Sequence, residues 1–277
     1  VSLKELAQEI LEVQDRGTYV APSGRTIDIS EAQQAAVAGT RLYRPSELKE
    51  LLASRSGHNR ATGPHQFEVT DEKTQEAACR LMQEEGFDDL VLLDFASARN
   101  PGGGFLTGAK AQEEDLTRCS GLYRCLETQT EYYETNRANS SLLYTDHIIY
   151  SPRVPWFRVK SREFLESPYL ASVITAPAPN AGEYLKREPD GDEPVKETLR
   201  RRSAYVLAVA RDQGHRSLLL GAWGCGVFRN DPAIVADAFM THLQSDQFAD
   251  DFDRVTFAVY DPTKEQRNLN AFRKRVT

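Results

Sequence analysis

The chain has 277 residues, 40% of them hydrophobic, a formal net charge of −7 and four cysteines. That length suits one large domain or a core with an appendage, and no run of eighteen apolar residues predicts a membrane helix. Net acidity argues against a non-specific grip on nucleic acid, but backbone N–H groups can still hold an anion locally.

Leu3, Leu6, Ile10 and Val13 recur at helical spacing, and Gly17 follows as a stop. This charged opening lacks the basic start and apolar centre of a signal peptide, and a start on Val1 is expected of a trimmed or shortened chain. Residues 18–21 and 25–29 predict short strands about a Pro22-Ser23-Gly24 turn. Ser30 reads as an N-cap for a helix over 31–38, and a further helix is expected over 45–53. Residues 55–64, rich in Ser, Gly, His and Asn, predict a linker. Residues 1–64 thus read as a mainly helical extension ahead of a core over 65–277.

Past His65 strands alternate with helices. A strand is expected at 67–69 and a helix at 71–85, ended by Gly86. Residues 90–95 (LVLLDF) form an apolar run broken by one acid, which suits a strand buried on both faces. A helical region over 112–126 breaks near Gly121. Short strands are expected at 147–150, 156–159 and 173–175, then a long helix over 195–211. A strand at 217–220, a helix at 231–243, a strand at 254–260 and a helix at 264–276 close the chain. Alternation of this kind implies a three-layer α/β/α core.

Two glycine loops follow expected strands, where open α/β sheets bind ligands. The first is Asn100-Pro101-Gly102-Gly103-Gly104, followed after seven intervening residues by Gln112-Glu113-Glu114. Glycines let a backbone approach a ligand closely and adopt positive φ. Acids at a helix start are commonly mere complements of the helix dipole, which is the plain alternative for Glu113 and Glu114. The second loop is Gly221-Ala222-Trp223-Gly224-Cys225-Gly226-Val227-Phe228-Arg229-Asn230, before a helix with Asp231 near its start. A strand, a glycine loop and a helix N-terminus together make a phosphate cradle, although such glycines are as often tight turns.

The cysteines at 79, 119, 125 and 225 form no CxxC pair, and no histidine lies at zinc-ligand spacing. Reduced thiols and a cytoplasmic protein are expected. Tyr132-Tyr133 and Trp156-Phe157 read as packing, and 200–202 (RRR) as a solvated helix face. His147 and His215 receive no role, and no base is identifiable for Ser23, Ser97 or Cys225 as nucleophiles.

The triple glycine with Gln112-Glu113-Glu114 resembles the signature of poly(ADP-ribose) glycohydrolases, and the whole is similar to their compact bacterial type. The lead-in at 95–99 (FASAR), Pro177-Ala178-Pro179-Asn180 and the 221–228 loop resemble that family too. Asp94 stands where Asn is expected in many relatives. The resemblance covers about residue 65 to the C-terminus and implies a macrodomain-like core with a mixed sheet. It implies Glu114 as the general acid on the leaving ribose oxygen and then the base toward water. Glu113 would orient the ribose hydroxyls, and Gln112 would brace both acids. Asn100 and Gly102, Gly103 and Gly104 would approach the ribose. Gly224, Cys225, Gly226, Val227 and Phe228 would line the diphosphate. A neighbouring carboxylate and an approaching diphosphate would disfavour ionisation of Glu114. No metal or cofactor is implied. The expected partners are poly(ADP-ribose), ADP-ribose and ADP-ribosylated proteins, met by a monomer, with a role after DNA damage. A macrodomain that binds ADP-ribose without cutting it, a mono-ADP-ribosyl hydrolase and an ordinary nucleotide-binding domain are the alternatives.

Overall fold

Local signals set most element ends in the structure, a computed structural model that describes residues 2–54, 63–160 and 163–277. Helix α1 (Leu3–Arg16) begins at Ser2, whose hydroxyl accepts the Glu5 N–H, and ends at Gly17 with φ of 73°. Strands β1 (Thr18–Val20) and β2 (Thr26–Asp28) pair antiparallel as a separate ribbon. In α2 (Ser30–Gly39) the expected N-cap is corrected: the Ser30 hydroxyl donates to Asp28 Oδ1 and caps nothing. Residues 41–43, given no strand from sequence, form β3 (Arg41–Tyr43), and α3 (Pro45–Ala53) follows. Most of the expected linker, 55–62, lies outside the described residues.

Strand β4 (Gln66–Thr70) leads to α4 (Thr74–Cys79), which widens into a π-turn over Arg80–Glu84. Strand β5 (Val91–Phe95) precedes the first glycine loop, and α5 (Gln112–Cys119) follows it. The chain breaks at Ser120 and Gly121 before α6 (Leu122–Glu127), and α7 (Thr130–Ala138) comes next. The separate strands expected at 147–150 and 156–159 are one strand, β6 (Ile148–Arg158). Its register slips between Ser151 and Val154, where Pro152 and a left-handed Arg153 (φ 45°) make a bulge that reads as a break in the sequence. Then come β7 (Phe164–Ala176), α8 (Ala181–Arg187), α9 (Asp192–Asp212) and β8 (Ser217–Gly221). The chain closes with α10 (Pro232–Leu243), β9 (Arg254–Ala258) and α11 (Arg267–Val276).

Seven strands form one mixed sheet in the order β3-β6-β7-β5-β8-β9-β4. The β3–β6 and β6–β7 pairs are antiparallel, and the others are parallel. Side chains alternate across it as period two demands. Val91, Leu93, Leu218 and Leu220 pack with Leu199, Val206, Phe239 and Phe272 of α9, α10 and α11 on one face. Leu92, Val173 and Leu219 pack with Ala77, Leu116 and Leu122 of α4, α5 and α6 on the other. Helix α1 and β1 close a third cluster over Phe105, Tyr123 and Phe157. Residues before 65 contribute to all three clusters.

Three packing expectations resolve here. Tyr132, Tyr133, Trp156 and Phe157 are all buried. His215 bridges Asp89 Oδ1 and the Tyr150 hydroxyl within the core. Arg202 corrects the solvated-face reading of 200–202: it is fully buried and donates to Asp146, Pro177 O and Tyr144 O. Charge placed next to charge in sequence did not reveal that α9 turns this position inward.

Candidate active site

Both glycine loops leave the carboxyl ends of the adjacent parallel strands β5 and β8. In the first loop the Ser97 hydroxyl accepts the N–H groups of Arg99 and Asn100, and Asn100 O accepts from Gly103 N. This turn takes Gly102 and Gly103 to φ of 66° and 60°. A Cβ on Gly103 would sit 2.4 Å from Glu114 Oε1 and 3.1 Å from Glu113 Oε2, so only glycine lets the acids reach the loop. Asn100 is exposed at the loop's edge.

Gln112 opens α5 and ties it to the strand. Its Oε1 accepts Phe95 N at 2.8 Å, while Nε2 donates to Leu93 O at 2.8 Å and Thr74 Oγ1 at 3.1 Å. The amide thus continues the β5 ladder and sets the rotation of the first helical turn. That rotation turns Glu113 and Glu114 toward the loop. Glu113 Oε2 accepts Ser97 N at 2.7 Å, and Glu114 Oε1 accepts Gly104 N at 2.8 Å. Asp115 points elsewhere, into ion pairs with Lys73 and Arg118, and Arg118 also donates to Ala109 O. Glu113 is 2% exposed and Glu114 8%, so Glu114 has the greater access to the mouth.

A third carboxyl completes the group. Asp94 shares parity with Leu92 on β5 and therefore faces α5. It is fully buried, and its Oδ2 accepts the Thr175 hydroxyl at 2.9 Å. Asp94 and Glu113 are buried neighbours, and Asp94 Oδ1 and Glu113 Oε1 have no hydrogen-bond partner among the described residues. Burial, above all, with the neighbouring Glu114 charge, pushes the Asp94 carboxyl up to about 7 against the pull of Thr175. Burial and the Asp94 charge hold Glu113 well above the usual carboxylate range. Burial of both acids favours their protonated forms. The sequence reading gave Asp94 no role in the site; the available signal was a single acid inside an otherwise apolar strand.

The second loop turns at Gly224 (φ 68°), where a Cβ would meet Ala178 at 2.4 Å and Asn230 Nδ2 at 2.6 Å. Trp223 anchors it by donating Nε1 to Ala176 O, and Asn230 Nδ2 donates to Pro179 O and Gly224 O. Cys225 N is spent on Ala222 O, while the amides of Gly226, Val227 and Phe228 make no hydrogen bond among the described residues. Val227 is 84% exposed at the tip. At the start of α10, Asp231 accepts Ala233 N and Pro232 has no N–H, so the loop amides are the more numerous donors without a partner among the described residues. A 260 Å³ cleft beside this loop is lined by Cys225, Arg229, Asp231 and Arg267. The larger surface groove, 410 Å³, lies between α1, α2 and α6, away from the acids, and its Arg124 is committed to Asp15 and Glu127.

A mixed α/β/α sheet with a carboxylate pair and a free-amide loop at its strand ends defines a macrodomain-like enzyme. The model of "Microbial-type PARG, catalytic domain" matches residues 7–159. The chain belongs to this family, the microbial-type poly(ADP-ribose) glycohydrolases. It is 45% identical to the poly(ADP-ribose) glycohydrolase of Thermomonospora curvata over 99% of this chain and 98% of that one, with a TM-score of 0.91. The same enzyme bound to the inhibitor ADP-HPD superposes with a TM-score of 0.87 at the same identity and coverage. The Deinococcus radiodurans enzyme in complex with ADP-ribose is 48% identical over 88% of this chain and 96% of that one, with a TM-score of 0.79. No curated protein sequence matches the chain.

Proposed function

We infer that this chain hydrolyses the ribose–ribose O-glycosidic bonds of poly(ADP-ribose) and releases ADP-ribose, with Glu114 as general acid and base. The observation that carries this is the pairing of Glu114 and Glu113 on one glycine turn, with Glu114 the more open of the two. Glu114 protonates the leaving ribose oxygen and then takes a proton from water. Glu113, braced by Ser97 and Asp94, accepts from the ribose hydroxyls. Asn100 and Gly102–Gly104 form the ribose ledge, and the amides of Gly226, Val227 and Phe228 receive the diphosphate. Gln112 spends its polar atoms on the scaffold and acts on substrate only by holding the helix. ADP-ribosylated proteins carry the polymer to the site.

Glu114→Gln tests the assignment. Proton donation by a placed acid contributes about 10²- to 10⁴-fold, so turnover of polymer falls by at least that range while ADP-ribose binding persists. Retained turnover would remove Glu114 from the role. Release of ADP-ribose from mono-modified protein, but not from polymer, would point to the mono-ADP-ribosyl hydrolase instead.

A further inference from the structure

Four non-glycine residues among those described hold a left-handed backbone: Tyr144, Arg153, Arg229 and Gln266. Arg153 sits in the β6 bulge and Gln266 precedes α11. The other two meet at one side chain. Arg229 directly follows Phe228, and the Tyr144 ring packs on the Phe228 ring at a centroid distance of 5.9 Å and 41° tilt. A bulky aromatic residue adopts φ of 60° only when its surroundings impose it.

Those surroundings are dense around Tyr144. Its N–H donates to Ser141 O, and its carbonyl accepts from the buried Arg202 at 3.3 Å. The next residue, Thr145, donates N–H and hydroxyl to Asn136 Oδ1, and Asn136 is itself buried and bonded to Tyr132 O. Asp146 pairs with Arg202 at 3.0 Å and with Arg201 at 2.8 Å. Leu142 O accepts Asn180 N, which ties the segment to the turn before α8. A buried arginine that joins Tyr144 O to Pro177 O is an expensive way to hold one turn. The turn it holds lies between the two glycine loops. Its neighbour Thr145 reaches Tyr132 through Asn136, and the Tyr132 hydroxyl bonds Ser97 O on the acid side, while Tyr144 touches Phe228 on the diphosphate side.

We propose that Tyr144 is a positioning residue: its ring braces Phe228 and sets the spacing between the diphosphate loop and the Glu113–Glu114 ledge. The strain is kept because only this backbone aims the ring at Phe228 while Thr145 and Asp146 stay in the scaffold. This rests on the polymer-hydrolysis reading for the identity of the ligand, but its test does not need turnover.

The experiment measures ADP-ribose affinity by titration calorimetry and polymer turnover for wild type, Tyr144→Phe, Tyr144→Leu, Phe228→Leu and the double Leu variant. Tyr144→Leu weakens ADP-ribose binding and raises KM by about 3- to 10-fold, the range an aromatic pair supplies, with kcat within about threefold. Tyr144→Phe stays within about twofold of wild type, because the ring remains. The double variant binds no more weakly than Phe228→Leu alone, since Tyr144 acts through that side chain. Unchanged affinity in folded Tyr144→Leu, or additive losses in the double variant, would overturn the proposal. If Tyr144→Leu does not fold, Tyr144→Phe decides: a tenfold loss there would equally overturn it. Wild type that binds ADP-ribose but leaves polymer intact defeats the hydrolase reading while the Tyr144 comparison stands. Wild type that binds no ADP-ribose defeats both.

Discussion

Asp94, Glu113 and Glu114 form a chain of carboxyls that runs from the sheet interior to the mouth of the site, and the proton inventory of the inner two depends on pH. Asp94 is held up to about 7 and Glu113 above its ordinary range, both chiefly by burial. Between pH of about 4, where an unfolded Asp titrates, and about 7, the folded protein therefore binds more protons than the unfolded chain. The stabilisation is fully present below that window and is lost as pH rises through it. Asp94→Asn keeps an acceptor for Thr175 and offers Glu113 a donor in place of a second acid. This variant has a flatter melting-temperature profile from pH 5 to 8. At pH 8 it is more stable than wild type by about 1 kcal/mol, or roughly 2–4 °C. Parallel profiles for the two proteins would show that Asp94 and Glu113 are not coupled. At this scale the sequence made Gly103, Glu113 and Glu114 readable, because a glycine string and an acid doublet are rare enough to stand out. Asp94 and Tyr144 were not readable in the same way, since burial and φ are properties of the fold.

Helix α5 places the acids only because its first residue is bolted to β5. Gln112 makes three partly buried hydrogen bonds, two of them to the strand's own backbone. Gln112→Ala leaves Phe95 N and Leu93 O unpaired, which costs about 1–3 kcal/mol. Thermal denaturation is expected to show a melting temperature lower by roughly 3–10 °C, together with a loss of turnover as the first turn of α5 relaxes. A variant that melts like wild type would mean the amide is not the bolt. Elements with local stop signals matched expectation: Gly17 ends α1, and α3 keeps the bounds read from its pattern. Elements set by pairing did not. Strand β3 is three residues long with no period to see, and it exists because β6 offers an edge. Helices α7 and α8 carried too weak an apolar stripe to announce themselves.

The segment before residue 65 is built into the whole molecule. It supplies β3 to the sheet, Tyr43 and Leu48 to one cluster, Ala36 and Leu42 to the second, and Ala7, Ile10 and Val13 to the third. Glu9 of α1 pairs with the buried Arg158 of β6, and α1 lies close enough to Gly108 that a Cβ there would be 3.3 Å from Lys4 N. A chain that begins at residue 65 therefore bares the β6 edge and strands Arg158 without its acid. It is expected to show no cooperative thermal transition by circular dichroism and to aggregate. A cooperative melt close to that of the full chain would contradict this. By itself, the linear order of residues determined the alternation of strands and helices, the two glycine turns and the acid doublet, because hydrophobic period, glycine and local capping act over a few neighbours. Folding in three dimensions decided which strands lie side by side, that Asp94 is buried beside Glu113, and that Tyr144 braces Phe228 across 84 residues of chain. Those relations depend on burial and on contacts distant in sequence, which no local pattern encodes.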